Sequence, residues 1–295
     1  QIIKKTKFKI VFDPMYGAGR GYLDRILKSY GYEVEVLHGW RDVLFGGDNP
    51  EPEDSRLEEL KSRVVESKAN LGLANDGDAD RFGIVDEKGV FYSANMIIPL
   101  LIDYLVKERG FKGSVVRSVA TSHLIDRVAA KHEITVHETP VGFKHIAKIM
   151  LAEPVIIGGE ESGGLSIKGH IPEKDGILAC LLVVEMLAKR QKPLSQLWAE
   201  LIAKVGPVVN TRYNLELKEE EKQAFMKLLR EETPTELSNL KIKSVNKIDG
   251  VKLTLADGSW VLARPSGTEP IVRVYVESNK AEKVAAIYDA VQRLI

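Results

Sequence analysis

KFKIVFDPMYGAGRGYLDRILKSYGYEVEVLH, residues 7–38, is the stretch that decides the fold class. It begins with a run of β-forming residues, passes through a glycine-rich turn into an amphipathic helical segment, and ends in a second β-forming run. That order is a β-loop-α-β unit, which places the two strands side by side in parallel. Strands and helices alternate again over residues 114–190. The sequence therefore predicts an α/β fold.

Two consecutive α/β units of similar length predict two domains with mixed or parallel sheets, at residues 1–110 and 111–205. After about Gly206 the pattern changes to short strands with two helices, which predicts a smaller α+β domain over 206–295. The chain has 295 residues, 44% of them hydrophobic and 28% charged, which is enough for several domains with cores of their own.

Charge and hydropathy exclude several classes of partner. Lys and Arg total 42, as do Asp and Glu, so no global field predicts binding to nucleic acid or to an anionic membrane. The apolar runs at 94–106 and 177–187 are interrupted by Asp103 and Glu185 and predict core helices rather than membrane spans. The single Cys180 predicts a buried thiol in a reducing cytoplasm. Because the first residue is Gln1 and a strand follows almost at once, we expect a piece of a longer protein.

The acidic segment NDGDADR, residues 75–81, has aspartates at alternate positions followed by an arginine. Carboxylates this close repel, so the spacing favours a hard divalent cation between them. The EF-hand loop has similar spacing, and Glu87 even fits its twelfth position, but Arg81 replaces the glycine of its sharp turn and the flanks read as strands. The ordinary alternative is an exposed acidic turn neutralised by Arg81.

The segment RPSGTEP, residues 264–270, lies between two predicted strands and could bind a tetrahedral oxyanion. It lacks the lysine and the spacing of a P-loop, and a plain Pro/Gly turn is the alternative. The groups that could converge on the anion are the Arg264 fork, the Ser266 and Thr268 hydroxyls, the Gly267 backbone N–H and, three residues beyond the loop, Arg273.

GGEESGG, residues 158–164, follows an apolar strand and could bind a sugar. Glu160 can accept from, and Ser162 donate to, vicinal hydroxyl groups, although glycine-rich turns after strands are also generic. Further on, Lys174 stands before a helix that Asp175 could cap, and a lysine with a lowered pKa can exchange a proton. A surface lysine is the alternative.

Two other segments resemble functional motifs without fitting them. GAGRG, residues 17–21, has the wrong spacing for a dinucleotide-binding fingerprint, and no acidic residue ends the second strand. In Thr121-Ser122-His123 a nucleophile stands beside a base, but adjacent residues rarely face each other. A hydroxyl that caps the following helix is the better interpretation of Ser122.

NDGDADRFGIVDE, VGFKHI, GGEESGGL, PEKDGILA and RPSGTEPIVRVYVE, in this order, closely resemble the α-D-phosphohexomutase superfamily, the phosphoglucomutase and phosphomannomutase enzymes. The similarity covers essentially the whole chain. In that family four domains surround one cleft, and the first carries a phosphoserine in a motif like T-A-S-H-N-P. No such motif occurs here, so the resemblance implies domains two, three and four alone, with the N-terminal phosphoserine domain as a missing partner.

The resemblance also implies roles for individual residues. Asp76, Asp78 and Asp80 would hold Mg²⁺, and Arg81 would touch the phosphoserine or the substrate. Lys174 matches a proposed acid/base lysine, and a hexose 1,6-bisphosphate would serve as intermediate and activator. The implied substrate-binding residues are Lys144, Glu160 and Ser162 for the sugar, and Arg264, Ser266, Gly267, Thr268 and Arg273 for the phosphate.

The resulting hypothesis is part of a phosphohexomutase that interconverts hexose 1-phosphate and hexose 6-phosphate, with the fragment itself inactive. GEESGG resembles the glucose-preferring members, so glucose is favoured, with mannose and glucosamine phosphates as alternatives. A hypothesis from another class is a non-catalytic phosphosugar-binding protein. The intact acidic loop argues against it, because a binding protein has no need of a metal aligned with a missing phosphoserine.

Overall fold

The computed structural model describes residues 7–267 and 269–295, and the chain divides into two compact units. The first unit holds residues 1–138 and 142–204, and the second holds 139–141 and 205–295. Each unit has its own sheets and core.

A five-stranded sheet begins the first unit. Its strands are β1 (Lys9–Asp13), β2 (Glu33–Val36), β3 (Leu71–Asn75), β4 (Phe82–Val85) and β5 (Phe91–Tyr92). The strand order is β2-β1-β3-β4-β5. Strand β1 pairs in parallel with both β2 and β3, whereas β3, β4 and β5 are antiparallel to their neighbours in that half of the sheet. Every residue of β3 is buried, as a central strand covered on both faces requires.

A four-stranded sheet follows in the same unit. Its strands are β6 (Ser114–Ser118), β7 (Val136–Thr139), β8 (Val155–Gly159) and β9 (Leu165–Ile167). They lie in the order β7-β6-β8-β9, with β6 and β8 parallel and β9 antiparallel to β8. These two mixed sheets confirm the predicted α/β class.

Seven helices that begin before residue 205 are described. They are α1 (Leu23–Ser29), α2 (Glu58–Glu66), α3 (Ala94–Lys107), α4 (Leu124–Lys131), α5 (Phe143–Ala152), α6 (Gly176–Arg190) and α7 (Leu194–Val205). The two most apolar, α3 and α6, lie in the core of the first unit, as predicted. Their charged interruptions are neutralised, since Arg190 donates to Asp103 at 2.8 Å and Arg109 Nε donates to Glu185 at 2.8 Å. Within residues 7–267 and 269–295, no helix combines the length and the apolarity that crossing a membrane requires.

The second unit is built on a six-stranded antiparallel sheet. Its elements are β10 (Val209–Glu216), α8 (Glu219–Glu231), β11 (Glu236–Leu237), β12 (Leu240–Asn246), β13 (Val251–Leu255), β14 (Trp260–Pro265), β15 (Ile271–Ser278) and α9 (Ala281–Gln292). The strand order is β10-β15-β14-β13-β12-β11. Alternate residues such as Val272, Val274 and Val276 are buried in a cluster with Phe225 of α8 and Ile287 of α9, which confirms the predicted α+β class.

The pattern reading missed β9 and α7. Strand β9 has only three residues, too few to show a period. Helix α7 buries Leu194, Leu197 and Leu201, a helical spacing that the sequence does contain. The two predicted caps are present: Asp175 Oδ1 accepts from Leu178 N at 2.8 Å, and Ser122 Oγ accepts from Leu124 N at 3.0 Å.

Candidate active site

The acidic loop, residues 75–81, connects β3 to β4 in the first unit. Asp76 is buried, Asp80 is half-buried and Asp78 is exposed, and each offers a carboxylate oxygen within 4.8 Å of the other two. The alternate spacing in the sequence thus brings the three side chains together.

Three hydrogen bonds inside the loop fix its shape. Arg81 N donates to Asp76 Oδ1 at 2.9 Å, Asn75 Nδ2 donates to Arg81 O at 2.9 Å, and Ala79 N donates to Asp76 O at 3.1 Å. The sharp turn lies at Ala79, whose φ is 64°. The left-handed residue is therefore two positions before Arg81, so the loop differs from an EF-hand loop, whose turn is at the sixth position.

The GAGRG turn supports the acidic loop from below, a role that the sequence did not reveal. Ala18 N donates to Gly77 O at 2.8 Å, and a Cβ added at Gly17 would lie 2.7 Å from the carbonyl oxygens of Asp76 and Gly77. Gly17 is therefore required by close backbone approach rather than by a bound dinucleotide.

Two cations face the aspartates. Lys174 forms an ion pair with Asp80, and the Arg81 Nε lies 3.7 Å from both Asp76 Oδ2 and Asp80 Oδ1. Arg81 Nη1 also donates to Glu51 Oε1 at 2.9 Å. The structure thus brings Lys174 and Arg81 to the acidic loop and adds Glu51, which pattern reading missed because it lies 30 residues away in sequence.

The electrostatics of the loop fit a hard cation. Burial, reinforced by the nearby Asp80 and Asp78 charges, raises the pKa of Asp76 to about 7. Asp80 Oδ1 is buried and has no hydrogen-bond partner within the described residues. A buried, repelling, all-oxygen donor set is what Mg²⁺ selects, with water or phosphoryl oxygens completing its coordination.

The sugar loop, residues 158–164, lies beside the acidic loop. An antiparallel bridge joins Arg81 to Gly164, and Gly176 N at the start of α6 donates to Ala79 O at 3.0 Å. These backbone contacts hold the two loops and the Lys174 segment together within the first unit.

Inside the sugar loop the two predicted side chains differ in exposure. Glu160 is buried and accepts from Gly142 N at 2.6 Å, and burial raises its pKa. Ser162 is exposed in the turn that Gly163 N closes onto Glu160 O at 3.2 Å. Lys144, in the first turn of α5, is exposed as well.

The phosphate loop belongs to the second unit and connects β14 to β15. The strand register pairs Arg264 directly with Arg273. Like charges opposite each other in a sheet are destabilising unless anions compensate them. Here Arg264 Nε donates to Asp249 Oδ2 at 2.8 Å and Arg273 Nη2 donates to Glu269 Oε2 at 2.9 Å, so an incoming phosphate would find two guanidinium groups already oriented.

The remaining groups of the phosphate loop are only partly described. Ser266 is buried, and its Oγ accepts from Glu269 N at 3.2 Å. Gly267 is exposed, so its backbone N–H is open to an anion. Thr268 lies outside the described residues.

The raised pKa of Asp76 gives a prediction about stability. An acid whose pKa is higher in the folded state loses stability as pH rises from its unfolded pKa to its folded pKa. Without divalent cations, Asp76→Asn should therefore gain on the parent chain by about 2 kcal/mol in unfolding free energy between pH 5 and pH 8. Urea unfolding at the two pH values measures the difference. Added Mg²⁺ should narrow it, and equal stability differences at both pH values would contradict the burial of this carboxylate.

Comparison with known proteins identifies related sequences for all three sheets. Residues 1–89 match the family model described as phosphoglucomutase/phosphomannomutase, alpha/beta/alpha domain II, residues 93–205 match its domain III, and residues 214–294 match its C-terminal domain. A Thermococcus kodakarensis protein named "Phosphoglucomutase/phosphomannomutase" is 33% identical over 283 residues, which is 96% of this chain and 59% of the relative.

Two further relatives agree. A Methanothermobacter thermautotrophicus protein named "Probable phosphoglucosamine mutase" is 34% identical over 97% of this chain and 60% of its own length. A crystal structure from Thermus thermophilus, whose title assigns a phosphomannomutase, superposes with a TM-score of 0.84 at 32% identity over 99% of this chain and 62% of that one. The chain thus spans 59% to 62% of the length of these relatives.

Proposed function

Because the chain belongs to the phosphoglucomutase/phosphomannomutase family, we propose that it is part of a phosphohexomutase that interconverts hexose 1-phosphate and hexose 6-phosphate. One observation carries the proposal: the three aspartates of the acidic loop meet Arg81 and Lys174 at the point where the backbone joins the sugar loop. A cation site, a guanidinium and a lysine beside a sugar-binding turn are the groups that phosphoryl transfer to a sugar hydroxyl requires.

In this proposal Asp76, Asp78 and Asp80 hold Mg²⁺, which when bound cancels negative charge around the transferring phosphoryl group. Arg81 donates to phosphoryl oxygens, and its half-buried side chain keeps it close to the loop. Lys174 exchanges a proton with the reacting sugar hydroxyl once it leaves Asp80.

The sugar and the second phosphate are held by the other two loops. Glu160 and Ser162 bind hydroxyl groups of the hexose, with Lys144 as an added cation. The pair Arg264 and Arg273 clamps the phosphate that is not being transferred, with Ser266, Gly267 and Thr268 as further donors. A hexose 1,6-bisphosphate is the intermediate and activator, so the sugar loop accepts the hexose in both orientations.

The phosphoryl donor in this proposal is a phosphoserine on an N-terminal domain, because no T-A-S-H-N-P stretch occurs in the 295 residues. That domain is then the chain's main macromolecular partner. A cytoplasmic location belongs to the same proposal and is supported by the buried free thiol of Cys180.

The identity of the sugar has two candidates. The sequence GEESGG favours glucose, whereas the relative named "Probable phosphoglucosamine mutase" favours glucosamine. An amine at C2 is a cation near neutral pH, and Glu160 is the buried carboxylate that would face the choice. Titration with glucose 6-phosphate, glucosamine 6-phosphate and mannose 6-phosphate ranks the three sugars directly.

Removal of Arg264 should weaken phosphosugar binding. Charge-assisted hydrogen bonds to phosphate are stronger than neutral ones, so Arg264→Ala is expected to lower the affinity for glucose 6-phosphate by at least ~10-fold in isothermal calorimetry. Arg230→Ala, an exposed arginine on α8, is the matched control and should change the affinity less than ~2-fold. If Arg264→Ala binds as the parent does, the loop is only a turn.

A further inference from the structure

The segment from Phe45 to Glu51, here called the strap, packs against the acidic loop. Pro50 O accepts from Gly77 N at 3.0 Å. A Cβ added at Gly77 would lie 3.0 Å from the Pro50 ring and 3.5 Å from the Phe45 ring, so both side chains close over the loop. The strap ends at Glu51, which is bonded to Arg81. The strap is therefore attached to the loop by a backbone bond, by packing and by charge.

We propose that Glu51 is a positioning residue whose carboxylate holds the Arg81 guanidinium away from Asp76 and Asp80, leaving these carboxylates available to a divalent cation. The inference rests on the cation site of the proposed function and adds a residue that sets its affinity. Neither the acidic loop motif nor the family comparison assigns any role to Glu51.

The distances support this division of the guanidinium. Arg81 Nη1 is 2.9 Å from Glu51 Oε1, a hydrogen-bond distance. The Nε is 3.7 Å from the nearest oxygens of Asp76 and Asp80, which is too far for a hydrogen bond. Arg81 is thus bonded to the strap and only attracted to the loop.

Partial burial makes this pair more than a surface contact. The side chains of Arg81 and Glu51 are 30% and 35% exposed. Burial lowers the pKa of Arg81, but Glu51, followed by Asp76 and Asp80, offsets this and raises it. Among the charges that raise this pKa, Glu51 therefore acts most strongly.

Loss of Glu51 should turn Arg81 into a competitor for the cation. Lys174 already occupies Asp80, and a guanidinium released from the strap would move onto the same carboxylates. Calorimetric titration of the 295-residue chain with Mg²⁺ should show affinity lowered by roughly 3-fold to 10-fold in Glu51→Gln. The control Asp48→Asn removes one negative charge from the same strap at a carboxylate that contacts Arg56, and should stay within ~2-fold of the parent.

A second variant separates position from charge. Glu51→Asp keeps the charge but withdraws the carboxylate by one methylene group, so it should also bind Mg²⁺ more weakly than the parent. A double-mutant cycle completes the test: in an Arg81→Gln background, Glu51→Gln should have little further effect.

Three outcomes would overturn the proposal. Parent affinity in both Glu51 variants means that the strap does not control Arg81. An equal effect of Glu51→Gln with and without Arg81 means that Glu51 acts only as a distant charge. If the parent chain binds no Mg²⁺ at all, the cation site of the proposed function fails and this inference fails with it. Parent binding that is indifferent to Glu51 overturns the inference alone.

Discussion

Replacing Asp78 with asparagine is expected to remove Mg²⁺ binding by the isolated chain. Among the described residues Asp78 makes no ion pair, whereas Asp80 is paired with Lys174 and Asp76 has a pKa of about 7. Asp78 is therefore the one carboxylate of the three that is both charged and uncommitted near neutral pH. With only protein carboxylates and water as ligands, the parent affinity should be weak, on the order of millimolar, and a further loss of ~10-fold or more takes it below detection.

Calorimetry with Mg²⁺ at pH 8 measures this loss, because Asp76 is then mostly ionised. Asp48→Asn serves again as the charge-matched control and should bind as the parent does. Lys174→Met supplies a control of opposite sign, since it removes the cation paired with Asp80 and should strengthen binding. Unchanged Mg²⁺ affinity in Asp78→Asn would contradict the assignment of the loop as a cation site.

The acidic loop could be predicted from the sequence because its geometry is local. Alternate aspartates within seven residues have to share one turn, and the spacing alone indicated repulsion that a cation relieves. The hydrogen bonds that close the loop also span few residues: Arg81 N reaches Asp76 and Asn75 reaches Arg81 O. No long-range packing was needed to place the three carboxylates together.

The supports of the loop could not be predicted in the same way. Glu51 and Gly17 contact it only because β1, β3 and the strap are adjacent in the folded sheet, and nothing in their own segments marks that contact. Lys174 shows the same limit. As a residue it was indistinguishable from a surface lysine, and only the family resemblance connected it with the acidic loop, where the structure pairs it with Asp80.

The phosphate loop shows how strand register adds information. The sequence placed Arg264 and Arg273 nine residues apart, a spacing that says little by itself. The antiparallel pairing of β14 and β15 sets them directly opposite each other. Two guanidinium groups in that position are explained by an anion better than by a turn, because the pair would otherwise repel.

Turnover is where the largest effect is expected. The 295-residue chain should show no conversion of glucose 1-phosphate to glucose 6-phosphate, even with Mg²⁺ and glucose 1,6-bisphosphate present, because the chain supplies no phosphorylated nucleophile. Electrostatic stabilisation of a transferring phosphoryl group cannot replace a missing donor. Ser122, the one hydroxyl beside a histidine in the sequence, is fully buried and its Oγ accepts from Leu124 N. A coupled dehydrogenase assay for glucose 6-phosphate measures the rate.

Adding the phosphoserine domain of a full-length relative as a separate protein should restore a small rate, because donor and acceptor must be held in line and two unlinked domains lose the effective concentration of a single chain. The restored rate should disappear in Lys174→Met, which leaves the cation ligands intact but removes the proposed proton carrier, whereas Ser122→Ala should keep it. Robust activity of the purified chain alone that is lost in Ser122→Ala would falsify the proposal, since the donor would then lie inside these 295 residues. Restoration that survives Lys174→Met would instead keep the donor outside the chain and move the acid/base role to another residue of the site, with Arg81 excluded by its permanent charge.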